Sequence, residues 1–468
     1  MDHSKLKQAL LKGGIYITIR QFISLILSLL SILIITRHLG PTHYGWSVIA
    51  LSITPFSTSL ADLGLKTYLI RKPGECSPQL QSEILFFLLI SSTLLIGIVV
   101  LTAPWIASWI KIPEMALILR LIAPSILLDS CAGAPLGMLE RNLQYQRSSL
   151  AEIGAQIVYS VTAIPLVLLG WDIWSVIIAY LLRALFQCIV AFALHPIRPI
   201  WIKNLEGLST ALNFGVSYSV SQWMLQGRSF VVPLLLGKFI DAQTVGLVGA
   251  TNRIADVVGF VRSVTLQLGI SGFAKLQEDR ATMRRALEQG IIYQSLLLIS
   301  ALSIFSILSP IFVPFLLGQK WLGVVTLFPF LGLFSLFRGI SELYKLVLYS
   351  MGKNLDVIKF HTANLLIVSS GIVVLCPLFG TWGFIIAEII SIITYFILHK
   401  STARVVGEIS CQPVFLLLVC TTPALFASPY YTPLITLPML LIGFCIAFLS
   451  SKELRDSSSA LIEFIKFR

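Results

Sequence analysis

The sequence predicts an all-α polytopic membrane protein of about fourteen transmembrane helices. These are expected to form two parallel-related six-helix lobes around a central cationic cavity, plus two C-terminal helices. Three observations predict this. The chain is 56% hydrophobic and only 12% charged, with a mean hydropathy of +0.88, whereas soluble domains carry about 25% charged residues. Its lysines and arginines divide unequally between alternate loops. The chain also echoes itself at an offset of 201 residues.

A helix needs about 20 mostly apolar residues to cross a bilayer. This rule places spans at 15–36, 44–65, 83–103, 115–138, 149–169, 173–194, 208–236, 244–270, 287–317, 322–348, 359–379, 382–399, 411–428 and 433–450. The last two are interrupted by Pro413, Pro423, Pro429, Pro433 and Pro438. Such breaks are tolerated where neighbouring helices satisfy the freed carbonyls. The basic start, MDHSKLKQALLKGG, runs into the first span with no small-residue cleavage site, so it reads as a cytoplasmic start and not as a removed signal.

With the N-terminus inside, twenty-two of the 34 Lys and Arg residues fall in inside segments. Only Arg37, Lys111, Lys238 and Lys320 fall outside. That bias predicts cytoplasmic N- and C-termini. It also disperses the net charge of +12 over short loops, which excludes a nucleic-acid-binding face. The seven cysteines are scattered and contain no CxxC pair, so neither a metal site nor a disulfide framework is expected. No Walker lysine motif is present, so ATP is not the expected energy source. No cofactor is expected.

The internal echo matches Gly14, Gln21, Ser28, Leu33 and Gly45 with Gly215, Gln222, Ser229, Leu234 and Gly246. A second echo matches Arg141-Asn142-Leu143 with Lys353-Asn354-Leu355. Both relate spans six apart in the same orientation, as in transporters built from parallel repeats. The expected organisation is a first lobe over 1–205, a second over 206–405, and two additional helices with a tail over 406–468.

The remaining eight bases lie within spans: Arg20, Arg120, Arg183, Arg228, Arg253, Arg262, Arg338 and Lys345. A charge at the centre of a membrane helix costs roughly 2.5–3.5 kcal/mol even on lenient scales. These side chains must therefore face a bundle interior, a watery cavity or an acid, and a cavity lined by positive charge implies an anionic substrate. Helical phase sorts them. Arg20, Ser24, Ser28 and Ser31 form one stripe on span 1, and Gln222, Gln226 and Ser229 form one on span 7. Arg338, Glu342 and Lys345 share a face of span 10. Arg253 and Asp256 stand at i, i+3 and are expected to pair, whereas Arg262 is about half a turn out of phase with Arg253. The substrate-binding candidates are thus Arg20, Arg253 and Arg338 with Ser24, Ser28, Gln222 and Gln226. The alternative for the hydroxyls and amides is hydrogen bonding between helices. Asp62, Asp129, Asp256, Glu342 and Glu388 are candidates for proton or sodium coupling, or for balancing the arginines; Glu152 is a further acid at a span edge.

Several stretches resemble a known family. They include Arg37-His-Leu-Gly-Pro-Thr-His-Tyr-Gly45, Asp62-Leu-Gly-Leu65, Leu69-Ile-Arg71 and Leu139-Glu-Arg-Asn-Leu-Gln-Tyr145. Phe214-Gly215, Phe273-Ala-Lys-Leu-Gln-Glu-Asp279 and Leu317-Gly-Gln-Lys-Trp321 follow in order. Together they resemble the polysaccharide transporters, the O-antigen and exopolysaccharide flippases of the superfamily that also holds lipid II flippases and multidrug and toxin extrusion transporters. The loop Thr244-Val-Gly-Leu247 departs from the Gly-Leu-Tyr-like step usual there. The resemblance implies alternating-access flipping of an undecaprenyl-diphosphate-linked oligosaccharide across the bacterial inner membrane. It also implies pathway partners, namely a polysaccharide polymerase and glycosyltransferases. Diphosphate would be the anion, matched by the planar fork of arginine.

Two other classes compete. A multidrug or toxin exporter for cations would want an acidic cavity, yet the spans hold eight bases against six acids. A membrane glycosyltransferase or polymerase needs a positioned base, and the outer segments here are tiny, with His38 and His43 in the first. The topology has a direct check. Lys111→Cys and Lys320→Cys variants are expected to react with a membrane-impermeant maleimide in intact cells, and Lys353→Cys only once the membrane is opened.

Overall fold

The computed structural model describes residues 3–199, 205–262, 265–266, 269, 272–273 and 276–456. Lys203, Lys275, Lys466, Arg468 and much of the eighth expected span beyond Arg262 lie outside the described residues. Every regular element among the described residues is helical, with no strand. Among the described residues, ten helices are long and apolar enough to cross a membrane, and Gln412–Ala427 is a shorter apolar helix. The protein is thus a multi-pass membrane protein. The helices divide into two units, Met1–Gly246 and Leu247–Arg468.

The first unit opens with α1, His3–Asp62. Sixty helical residues would extend about 90 Å, three times the hydrocarbon core. The chain avoids this at Gly40, whose φ of 72° and ψ of 170° break the helix. Pro41 follows directly and cannot continue a hydrogen-bond ladder. The break falls between the first two expected spans. A second turn, through Leu63 and Gly64 at positive φ, leads into the short α2, Leu65–Arg71.

Next come α3, Pro78–Ile110, and α4, Met115–Ile122. The Ser77 hydroxyl caps α3 by accepting from Leu80 N–H at 3.3 Å, as N-cap serines do. Pro124 splits the fourth expected span and starts α5, Pro124–Arg141. α6 covers Tyr145–Leu168, α7 Asp172–Leu194 and α8 Leu205–Phe239. α1 packs on α5, α6, α7 and α8. Leu65, Leu69, Ile84, Leu88, Ala134 and Ala211 make a fully buried core between α2, α3, α5 and α8.

Expected span 7 opens the second lobe in the sequence scheme, whereas α8 packs against α1, α2 and α3 within the first unit. One contact ties this arrangement to the internal echo. A methyl on Gly45 would lie 1.8 Å from the Ala242 carbonyl oxygen, and one on Gly246 would lie 1.9 Å from that of Pro41. Pro41 and Ala242 are themselves 201 residues apart, as are the two glycines. The two echoed segments therefore meet reciprocally, backbone on backbone, where only glycine lets chains approach so closely.

α9, Ala242–Val258, lies across the boundary between the units. The second unit continues with α10, Arg280–Leu316, whose Asp279 cap accepts from Thr282 N–H at 3.0 Å. The Thr282 hydrogen bonds hold that carboxyl below the usual range. α11 spans Leu322–Ser350 and α12 Asn354–Phe379. A 3-10 turn joins α13, Thr381–Ser391, to α14, Tyr395–Val406. α15, Gln412–Ala427, and α16, Pro433–Ser450, close the described chain. Its core gathers Leu287, Leu298, Phe328, Val347, Leu398 and Leu417.

Close packing at the reciprocal glycines is testable. Gly45→Ala and Gly246→Ala are each expected to cost about 1–3 kcal/mol by overpacking, seen as a lower melting temperature of the detergent-solubilised protein. Gly97→Ala, with nothing within 4 Å of the added methyl, is expected to leave it unchanged or raise it slightly.

Candidate functional site: a charge-paired cavity in the first unit

The first unit holds a partly open cavity of about 730 Å³. Helical periodicity builds its walls. α1 contributes Ser52, Pro55, Ser59 and Asp62, which recur three or four residues apart. α7 contributes Tyr180, Arg183 and Gln187, at i, i+3 and i+7. α8 contributes Ser219, Gln222, Gln226 and Ser229, again on one face. Asp129 and Ser130 come from α5 and Glu152 from α6.

Charge in this interior is closed into pairs. Arg183 grips both carboxylate oxygens of Asp129, at 2.8 and 3.0 Å. It also donates to Gln187 Oε1 at 3.0 Å and lies 4.5 Å from the centre of the Tyr180 ring. Arg20 meets Glu152 at 2.7 Å. Lys66 reaches Glu140 at 3.2 Å, and its backbone N–H donates to Asp62 Oδ1 at 3.2 Å. Four buried polar atoms of the lining have no protein partner: Thr58 Oγ1, Ser130 Oγ, Arg183 Nε and Gln226 Oε1. The chamber thus presents hydroxyl, amide and carboxylate groups, with its cations already neutralised.

Of the predicted site residues, the cavity brings together Asp62, Asp129, Gln222 and Gln226. Arg20, Ser24 and Ser28 are not in its lining. Their stripe runs along α6 instead, since Ser31 donates to Ser160 at 2.8 Å and Arg20 pairs with Glu152. Asp129 is the ion-pair partner of Arg183. The sequence left Arg183 without a local partner because Asp129 lies 54 residues away. Lys66, Tyr180, Gln187 and Thr58 were missed. Phase on span 6 carried a signal for three of the lining groups, since Tyr180, Arg183 and Gln187 share one face.

In the second unit, Arg253 is exposed on α9. Arg262 meets Asp256 at 2.8 Å and donates to Ser335 Oγ at 2.9 Å, a pairing the sequence did not anticipate. The reason is local. α9 ends at Val258, and the turn at Gly259–Phe260 resets the helical phase that had set Arg262 aside. Arg338 donates to Asn252 Oδ1 at 3.2 Å. Glu342 meets Lys345 at 2.7 Å, and Glu388 is buried on α13. Arg120 is exposed in the last turn of α4.

Comparison with known proteins now adds a decisive match. The family described as "Polysaccharide biosynthesis protein" matches residues 34–326, more than half of the chain. The chain belongs to this family of polysaccharide biosynthesis proteins. Among curated relatives, the succinoglycan biosynthesis transport protein ExoT of Rhizobium meliloti (strain 1021) is 23% identical over 67% of this chain. That match spans 63% of the length of ExoT. The lipopolysaccharide biosynthesis protein WzxC of Escherichia coli (strain K12) is 19% identical over 84% of this chain and 82% of its own. In fold, this polysaccharide biosynthesis protein is similar to the lipid II flippase MurJ in an inward closed conformation. The TM-score is 0.76, with 15% identity, over 94% of this chain and 98% of that one.

The Arg183–Asp129 pair should dominate the stability of the cavity wall. Asp129→Ala strands a buried guanidinium and is expected to cost about 3–5 kcal/mol. Combining Asp129→Leu with Arg183→Met removes both charges and is expected to recover most of that loss in thermal melts.

Proposed function

We propose that this chain is a transporter, not an enzyme, that carries an undecaprenyl-diphosphate-linked oligosaccharide across the bacterial inner membrane by alternating access. The cargo would be an O-antigen or exopolysaccharide repeat unit. One observation carries the reading: a polar, charge-paired, partly open chamber among apolar membrane helices. A saccharide headgroup needs such surroundings to leave water, while its lipid tail stays in the bilayer. The family, the transport and lipopolysaccharide names of the relatives, and the flippase-like fold support the same class.

In this reading Arg20, Arg253 and Arg338 hold the diphosphate by bidentate hydrogen bonds. Arg20 would exchange Glu152 for phosphate oxygens, and Arg253 lies at an exposed position of α9. Ser24, Ser28, Gln222 and Gln226 add polar contacts. Asp62, Asp256, Glu342 and Glu388 are the proposed acids for coupling to a proton or sodium gradient. The lobes at 1–205 and 206–405, the appended 406–468, fourteen spans and cytoplasmic termini belong to the same proposal. Glycosyltransferases would supply the cargo and a polymerase would consume it.

A second reading, export of organic cations, is favoured by one feature: three carboxylates, Asp62, Asp129 and Glu152, line the cavity against two bases, Lys66 and Arg183. The two readings separate in one experiment. An Arg20→Ala, Arg253→Ala and Arg338→Ala triple variant is expected to abolish glycan export while still reaching the membrane. Normal export from that variant, or drug resistance on overexpression that is lost with Asp256→Asn, would refute the flippase reading.

A further inference from the structure

We propose that the cavity of the first unit is a saccharide subsite, selective for an uncharged sugar and not occupied by the diphosphate. This rests on the proposed function and adds to it where the headgroup's sugar sits and which sugars fit.

Including the partners just outside the lining, the chamber holds Asp62, Asp129, Glu140 and Glu152 against Arg20, Lys66 and Arg183. Four acids face three bases, and each of the three bases already has a carboxylate within 3.2 Å. Arg20 lies outside the lining and is the base assigned to the diphosphate; among the described lining residues an incoming phosphate, or the carboxylate of a uronic acid, would meet only Lys66 and Arg183, both already paired, and would add charge of the sign already in excess. Leaving such an anion poorly paired in a low-dielectric interior is unfavourable.

A neutral sugar meets none of this. Each of its hydroxyls donates one hydrogen bond and accepts two. The four atoms without protein partners offer what those hydroxyls need: two hydroxyls at Thr58 and Ser130, a donor at Arg183 Nε and an acceptor at Gln226 Oε1. Ser130 is only 2% exposed, so its hydroxyl is built into the wall. Burying polar atoms without partners is costly, and a rotation of the Thr58 and Ser130 hydroxyls toward the cavity would let sugar hydroxyls satisfy them. The remaining wall supplies apolar surface for the C–H faces of a sugar ring, from Leu51, Pro55, Phe56 and Leu136. Phe56 is held in place by stacking on Phe230, with centroids 4.6 Å apart. A volume of about 730 Å³ lies within the roughly 300–1,000 Å³ of sites for small organic ligands, so more than one sugar ring fits.

The test uses the full-length protein in nanodiscs and four probes. These are undecaprenyl diphosphate alone, the same lipid bearing one neutral hexose, the same lipid bearing one hexuronic acid, and a soluble neutral disaccharide. The neutral hexose is expected to tighten binding at least tenfold over the bare lipid, and the hexuronic acid to give no gain. In a Thr58→Val, Ser130→Ala double variant the tenfold gain should fall to less than twofold. These near-isosteric changes remove unpartnered hydroxyls, so the melting temperature should hold or rise, which separates lost recognition from lost folding. An unchanged gain in that variant, or a hexuronic acid that binds as tightly as the hexose, overturns the subsite. If the bare lipid fails to bind while the soluble disaccharide binds and is lost in the double variant, the lipid-linked cargo is wrong and the subsite stands.

Discussion

A charge left alone among membrane helices is the one thing this fold cannot hold. Among the described residues, four of its intramembrane bases each meet an acid. Arg183 meets Asp129, Arg20 meets Glu152, Arg262 meets Asp256 and Lys345 meets Glu342. Each pair also fixes geometry. The first two cross from one helix to another and so set the register of α7 on α5 and of α1 on α6. An apolar contact between the same helices would slide at little cost. A charge-assisted contact to a carboxylate does not, because displacement by a fraction of a turn leaves both groups uncompensated. The cavity keeps its shape because its most costly residues are also its clamps.

Much of the architecture was legible in the sequence because hydrocarbon imposes a simple rule on length and polarity. Apolar runs, prolines at breaks and basic residues in alternate loops were enough to anticipate the helical class and the break near Gly40. Local pairs were also legible, as with Glu342 and Lys345, which are three residues apart on one face. Long-range pairs were not. Nothing on span 6 says that its arginine will meet an acid 54 residues earlier, and nothing on span 1 names α6 as the neighbour of its polar stripe.

Phase arithmetic failed where its premise failed. It treats a span as one straight helix. Asp256 and Arg262 lie on either side of a turn at Gly259, and they pair across it. The same limit explains the cavity. Gln222 and Gln226 were found by their spacing, and they do share a wall with Asp62 and Asp129. Thr58 and Ser130 gave no signal, since hydroxyls in membrane helices usually bond back to their own backbone. Only the packed structure separates hydroxyls committed in that way, such as Ser125 and Thr251, from those that are not.

The reciprocal approach of Gly45 and Gly246 has a consequence for how this sequence can vary. In a symmetric dimer one patch serves both sides of an isologous contact, so a single substitution alters both halves at once. Here the two halves are encoded separately and each is free to change alone. The geometry withholds any benefit from that freedom. Each glycine faces the backbone carbonyl of the other segment's small residue, Ala242 or Pro41, and a backbone carbonyl cannot be trimmed by mutating its side chain. No second-site change at the partner position can therefore compensate for a lost glycine. The two positions are locked independently, although the contact they make is shared.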